Sequence, residues 1–295
     1  MLRNSMDSIT LKAPAKLNLF LEVLGKRRDG YHNIITIFER INLCDDIVIS
    51  IVDRGIKVFC DQKIPEKENL AYKAAKLILS RSKVNQGVFV KITKNIPIAS
   101  GMGGGSSDAA YTLIGINKLF KLGYKKDGLI RLGRLLGSDV PFFILERSFA
   151  IGKGRGDSVK GLDFTPPKIW HLLMFPGVKK LTKDIYRALK LDLTKKVHNV
   201  KMLEHALKMG DFDLMKETTY NRLEGPAFDR EPRLSAIKSS LIKLGIKGAS
   251  LTGSGPTIFG IVKSRKEAIS LSAEVLKKRT GFEKEGWRLF IAHTL

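Results

Sequence analysis

Ile96-Pro97-Ile98-Ala99-Ser100-Gly101-Met102-Gly103-Gly104-Gly105-Ser106-Ser107-Asp108-Ala109-Ala110 joins an apolar segment to a long helical pattern, with four glycines and three serines at the join. Glycine lets backbone approach a ligand closely and tolerates positive φ. Free N–H groups at the start of a helix form an anion site, because the helix dipole adds partial positive charge there. Ser106 or Ser107 is a natural N-cap for a helix through Ala109, Ala110, Tyr111, Leu113 and Ile114. The expected ligand is a polyphosphate. The stretch is not a Walker A loop, which needs Lys and then Ser/Thr where Ser106-Ser107-Asp108 stands. Nor do Gly101, Gly103 and Gly104 have the dinucleotide-fold spacing.

Upstream, Val88–Ile92 reads as a strand running toward this loop, and Asn69–Ser82 as an amphipathic helix with Leu70, Ala74, Leu77 and Ile78 on one face. Ile9–Ala13, Leu17–Val23, Ile34–Leu43 and Asp46–Val52 alternate with the period of strands. Downstream, the pattern predicts helices over Asp108–Phe120 and Lys126–Leu136, the second stopping at Gly137, and then a strand from Val140 to Ile144. Thr165-Pro166-Pro167 marks a boundary, giving domains at 1–164 and 165–295. The second half predicts strands at Trp170–Phe175, Gly248–Thr252, Thr257–Val262 and Trp287–Ala292. It predicts helices at Thr182–Leu189, Val200–Met209, Asp211–Leu223, Pro232–Lys243 and Lys266–Lys278. The mixture is an α+β fold with antiparallel sheets and helices packed on them.

The chain has 295 residues with 43% hydrophobic content, enough for two modest cores. No apolar run is long enough to span a bilayer, and the N-terminus lacks the core of a signal peptide. A cytoplasmic protein is expected. Two cysteines, Cys44 and Cys60, are too few for a disulfide framework and have no zinc spacing. The formal charge of +23 raises nucleic-acid binding. The basic residues are spread along the chain, however, and aromatics do not interleave with them as a single-strand platform requires. A lysine excess that attracts anionic small molecules is the simpler reading.

Three further clusters carry polar residues in unusual places. In Ala13-Pro14-Ala15-Lys16-Leu17-Asn18-Leu19, Lys16 and Asn18 are two apart on a strand and share a face. In Leu136-Gly137-Ser138-Asp139-Val140-Pro141-Phe142-Phe143, Asp139 sits between a helix stop and an apolar run, as a turn-former or a site residue. Ser250-Leu251-Thr252-Gly253-Ser254-Gly255-Pro256-Thr257 is a second glycine-rich turn between strands.

In this order, and with Asp29-Gly30-Tyr31-His32, these clusters resemble the GHMP kinases from about residue 9 to the last strand. The branch resembled is the one whose acceptor is a cytidine-diphosphate-linked methylerythritol, phosphorylated on its 2-hydroxyl by ATP with Mg²⁺ on the non-mevalonate route to isoprenoid precursors. The resemblance implies an N-terminal ribosomal-protein-S5-like domain, a C-terminal ferredoxin-like domain and a site in the cleft between them. It implies Asp139 as catalytic base and Lys16 as catalytic lysine. Pro97, Ile98, Ala99, Ser100, Gly101, Met102, Gly103, Gly104, Gly105, Ser106 and Ser107 would hold ATP. Tyr31, His32 and Phe38 would hold the cytosine, Tyr186 would stack on it, and Asn18 would stand beside the acceptor. No dedicated metal site is visible, which suits a Mg²⁺ carried on ATP phosphates. Asp108 puts a carboxylate at a helix start where relatives can have a neutral amide. Arg155-Gly156-Asp157 has the letters of an adhesion motif but falls on a turn of the family. The implied partner is a small molecule, with no nucleic acid and no membrane, and the implied state is a monomer or weak homodimer.

Overall fold

The computed structural model describes residues 7–165, 167–178, 182–189, 198–277 and 286–295. Two long strands, β1 (Ser8–Lys26) and β2 (His32–Val52), pair antiparallel along almost their whole length and form the spine of the first sheet. The sequence pattern divides each into two strands, and the pairing shows why. Register shifts fall at Pro14/Ala15, Asn18/Phe20 and Val23/Gly25, and each such bulge resets the alternation of faces while the ladder continues. Pro14 has no N–H to give the ladder, so a bulge beside it costs little.

The upper half of β2 pairs with β4 (Gly87–Thr93), which carries β3 (Ile56–Cys60) on its other side. The lower half pairs with β5 (Phe149–Gly154), which carries β6 (Ser158–Gly161). The sequence pattern shows neither β3, β5 nor β6. Helices α1 (Leu70–Leu79), α2 (Gly104–Leu119), α3 (Lys126–Leu136) and α4 (Val140–Leu145) pack with this sheet around one core. Every residue of α2 from Ser107 to Ile116 is buried, so this central helix has no polar stripe.

The segment predicted as a strand at Val140–Ile144 is the helix α4. An uninterrupted apolar run fits a buried strand or a buried helix equally. Here Pro141, in the first turn where its missing N–H is harmless, favours the helix. The helix α2 also starts earlier than predicted. Its N-cap is Gly103 at φ 74°, not Ser106 or Ser107, which lie inside the first turns.

The chain passes to a second, four-stranded antiparallel sheet, in the order β11-β7-β10-β9, between β6 and β7 (Trp170–Phe175). Helices α5 (Thr182–Ala188), α6 (Val200–Met209) and α7 (Phe212–Thr218) follow. A two-residue strand, β8 (Tyr220–Asn221), then leaves this half and pairs parallel with β1 at Phe20 and Leu21. The sequence reading places these residues at the end of a helix. Next come α8 (Glu224–Arg230), absent from the sequence reading, α9 (Pro232–Lys243), β9 (Ser250–Leu251), β10 (Ile258–Val262), α10 (Arg265–Lys277) and β11 (Arg288–His293). The halves share a core in which Leu17, Leu19 and Phe20 of β1 meet Leu203, Leu207, Met215 and Phe259. Burying each such side chain stabilises the join by roughly 1.5–3 kcal/mol.

Candidate active site

Three sequence motifs converge where the two sheets meet. Lys16 and Asn18 project from the middle of β1, and Lys16 is only 3% exposed. Its ammonium donates to Asn18 Oδ1 and lies 3.9 Å from Asp139 Oδ2. The Asn18 amide is oriented in turn by Thr36 Oγ1, which accepts from Asn18 Nδ2 at 2.8 Å and donates to Phe20 O at 2.6 Å. Asp139 is the N-cap residue of α4, but its carboxylate makes no cap hydrogen bond and is 31% exposed. It faces the cleft rather than its own helix.

The glycine loop closes over this pair. Lys16 N donates to Met102 O at 2.9 Å, tying β1 to the loop. A Cβ on Gly103 would come within 3.1 Å of Lys16 Cγ and 3.0 Å of the Phe143 ring. The second glycine turn supports the loop from the other half. A Cβ on Gly101 would meet Thr252 O at 2.5 Å and Gly255 O at 2.7 Å, and one on Gly253 would lie 3.2 Å from Lys16 Nζ. These glycines are therefore fixed by close approach as well as by positive φ. Asn221 of β8 donates to Leu251 O and Gly253 O at 2.7 and 2.8 Å, and Thr252 Oγ1 accepts from Asn18 N at 3.0 Å. The sequence reading missed both Asn221 and Thr252 as site supports. Asn221 is invisible without the β1–β8 pairing.

Two cavities flank the center. One, of about 300 Å³, is lined by Pro97 to Gly101, Gly103 to Ser106, Asp108 and Asp139, with Asn69, Leu70 and Lys94 on the side of α1. The N–H groups of Gly104, Gly105 and Ser106 have no acceptor inside α2, so the cavity has an anion-binding rim. Met102 and Ser107 belong to the same stretch but are fully buried, Met102 in the core shared by the halves. The sequence reading did not select Asn69, Leu70 or Lys94. Lys94 lies beneath the loop between Asp45 and Asp108, 2.7 Å from Asp108 Oδ2. Burial and the neighbouring Asp45 carboxylate push the Asp108 carboxyl up to about 7, against the pull of Lys94.

The second cavity, of about 620 Å³, gathers Tyr31, His32, Ser138, Arg155 and Tyr186. The His32 and Tyr186 rings come from different halves of the chain and lie 5.1 Å apart. Burial, with some help from Lys26, holds His32 below the usual histidine range. Burial and the charge of Asp139 both raise the Tyr186 hydroxyl. The consecutive residues Ser138 and Asp139 line different cavities, Ser138 the aromatic one and Asp139 the glycine-rimmed one. Phe38 is not with this group. It is 1% exposed, stacked on Phe142 at 4.8 Å, and its ring lies 5.9 Å from Lys16 Nζ. Phe142 of α4 covers the Phe38 ring, and the Lys16 ammonium lies over it.

Residues 69–147 match the family model of the GHMP kinases N terminal domain, and residues 203–279 match that of the GHMP kinases C terminal. The 4-diphosphocytidyl-2-C-methyl-D-erythritol kinase of Pelobacter propionicus is 38% identical over 98% of this chain and 100% of its own length. That of Geobacter metallireducens is 40% identical over 89% and 92%. The chain belongs to the 4-diphosphocytidyl-2-C-methyl-D-erythritol kinase family of GHMP kinases. A solved 4-(cytidine 5'-diphospho)-2C-methyl-D-erythritol kinase superposes with TM-score 0.81 at 34% identity, covering 97% of this chain and 98% of that one. A homoserine kinase from Cytophaga hutchinsonii, 20% identical, superposes with TM-score 0.77 over 100% and 96%, and shares the fold. As a GHMP kinase the chain uses ATP. Among its described residues, no group of three or more His, Cys, Asp or Glu could hold a metal ion, and no helix is long and apolar enough to cross a membrane.

Proposed function

We propose that this kinase transfers the γ-phosphoryl group of ATP to the 2-hydroxyl of 4-diphosphocytidyl-2-C-methyl-D-erythritol, on the non-mevalonate route to isoprenoid precursors. The observation that carries the reading is the Asp139 carboxylate, 3.9 Å from the Lys16 ammonium, on the wall of the glycine-rimmed cavity and next in the chain to Ser138 of the aromatic one. In this reading the glycine-rimmed cavity takes ATP and the aromatic one takes the cytidine end of the acceptor.

Phosphoryl transfer passes through a loose transition state, so positioning and charge stabilisation supply most of the catalysis. The free N–H groups of Gly104 to Ser106 hold phosphate oxygens. Lys16 offsets negative charge shared by the carboxylate, the acceptor oxygen and the transferred group. Asp139 orients the acceptor hydroxyl and takes its proton as the new O–P bond forms and the bond to ADP breaks. Asn18, locked by Lys16 and Thr36, presents its amide beside the acceptor. Tyr31, His32 and Tyr186 select the base. The oxygen-rich phosphates of ATP are suitable partners for Mg²⁺, which would neutralise charge on them when bound.

The remaining parts of the proposal are a cytoplasmic monomer or weak homodimer with neither a nucleic-acid nor a membrane partner. Free Cys44 and Cys60 suit a reducing compartment. The test is a coupled ADP-release assay offering the cytidyl substrate, mevalonate and homoserine side by side. Turnover confined to the cytidyl substrate is expected. Turnover of either of the others at a comparable kcat/KM overturns the substrate assignment, and retention of tRNA on a filter at physiological salt overturns the exclusion of nucleic acid.

A further inference from the structure

Among the described residues, Arg155 is one of four charged ones that line the aromatic cavity, with Lys26, Asp29 and Arg187, and the mechanism assigns a role to none of them. It sits in the turn from β5 to β6, between Gly154 at φ 67° and Gly156 at φ 94°. Its guanidinium covers the Tyr31 ring at 5.0 Å from the centroid. Asp157 holds it there, accepting from Nη2 at 2.8 Å and from Nε at 3.3 Å. Asp157 is itself fixed, since its backbone carbonyl accepts from Arg134 Nε at 3.2 Å. The Tyr31 backbone is pinned separately by Asp29, which accepts from Tyr31 N at 3.1 Å and binds Arg27. Tyr31 is nevertheless 55% exposed and stands on a turn. Backbone hydrogen bonds fix where such a ring is attached but leave its χ angles open. The Arg155 guanidinium lies over one face of that ring.

We infer that Arg155 is a positioning residue for base recognition: it stacks behind Tyr31 and holds that ring as a preset wall for the pyrimidine of the acceptor. A wall fixed before binding spares the ligand the cost of ordering it. A planar guanidinium suits a ring face, whereas a lysine ammonium gives a point charge without a plane. This inference rests on the cytidyl reading of the cavity and assigns a new residue to it.

The test uses the full-length enzyme with cytidine, CMP and CDP as competitive probes, alongside the KM of the cytidyl substrate. Arg155→Met is expected to raise that KM and all three inhibition constants by a common factor of roughly three to ten, with kcat at saturation and the KM for ATP unchanged. Arg155→Lys should resemble Arg155→Met. Asp157→Asn, which loosens the anchor, should give a smaller rise. In a Tyr31→Leu background, Arg155→Met should add nothing, because the ring it acts through is gone. The inference is overturned by unchanged constants, by an undiminished effect in the Tyr31→Leu background, or by a loss seen with CMP and CDP but not with cytidine. The last result makes Arg155 a phosphate ligand. Failure of all three probes to bind the parent protein overturns both this inference and the cytidyl reading, whereas normal binding with a silent Arg155→Met overturns this inference alone.

Discussion

Lys16 Nζ stands 3.9 Å from Asp139 Oδ2, the lysine 3% and the aspartate 31% exposed. That asymmetry suits their proposed roles: a cation locked in place and an acid that can reach a substrate. Asp139→Asn keeps the shape but cannot accept a proton. It should fold, bind ATP with little change in KM, and lose turnover by on the order of 100-fold or more. A well-folded Asp139→Asn enzyme with near-parental kcat shows that the base lies elsewhere. At this scale the sequence was informative where chemistry and local spacing coincide. Lys16 and Asn18 share a strand face because they are two apart, whatever the rest of the fold does. For Phe38 the local spacing is silent. Its place near Tyr31 and His32 in the chain gives no sign that Phe142, more than a hundred residues later, covers its ring.

The junction of β4, the glycine loop and α2 makes its own predictions. Gly104 is a tight position, since a Cβ there would lie 3.1 Å from Ile96 Cγ2 and 3.2 Å from Lys94 Nζ. Gly104→Val should push the loop off the lysine beneath it and raise the KM for ATP by roughly tenfold or more, while the circular dichroism spectrum of the whole protein stays native-like. A normal KM for ATP would place the phosphates elsewhere. Beneath the same loop, the Asp108 carboxyl is raised from 3.8 to about 7. Between those values the folded protein holds a proton that the unfolded chain has released, so Asp108 makes stability fall as pH rises through that window. Asp108→Asn has no such proton. Its Tm relative to the parent should therefore climb by roughly 5 °C or more from about pH 4 to about pH 7, and a pH-independent difference would show that Asp108 titrates near its ordinary value. The loop was legible from its glycines, but the true start of α2 was not. A serine pair is the usual N-cap signal, and Gly103 overrides it by adopting a left-handed conformation that sequence alone does not reveal. The two-residue β8 was likewise out of reach, because its pairing with β1 is set by packing between the halves.

Across the whole molecule, the proposed acceptor cavity depends on both halves. Tyr31 and His32 belong to the first, Tyr186 to the second, and the shared core around Leu17, Phe20, Leu207 and Phe259 holds them in register. Period-two and period-3.6 patterns report the elements of each half but not how the halves meet. Only the family resemblance brought Tyr186 to the cavity in advance. Its ring lies 5.1 Å from His32, and the charge of Asp139 acts on its hydroxyl. One residue of α5 is thus coupled to the base-binding turn of the first half and to the reacting carboxylate. Stacking of an aromatic ring on a base is worth roughly 1–3 kcal/mol, which corresponds to about five- to 150-fold in affinity. Tyr186→Ala should raise the KM for the cytidyl substrate by that factor and leave the KM for ATP unchanged, because no described residue of α5 lines the glycine-rimmed cavity. Tyr186→Phe separates the ring from its hydroxyl: stacking alone predicts near-parental KM, whereas a role for the hydroxyl beside Asp139 predicts a fall in kcat. If Tyr186→Ala instead weakens ATP and the cytidyl substrate equally, α5 holds the two halves together and does not select the base.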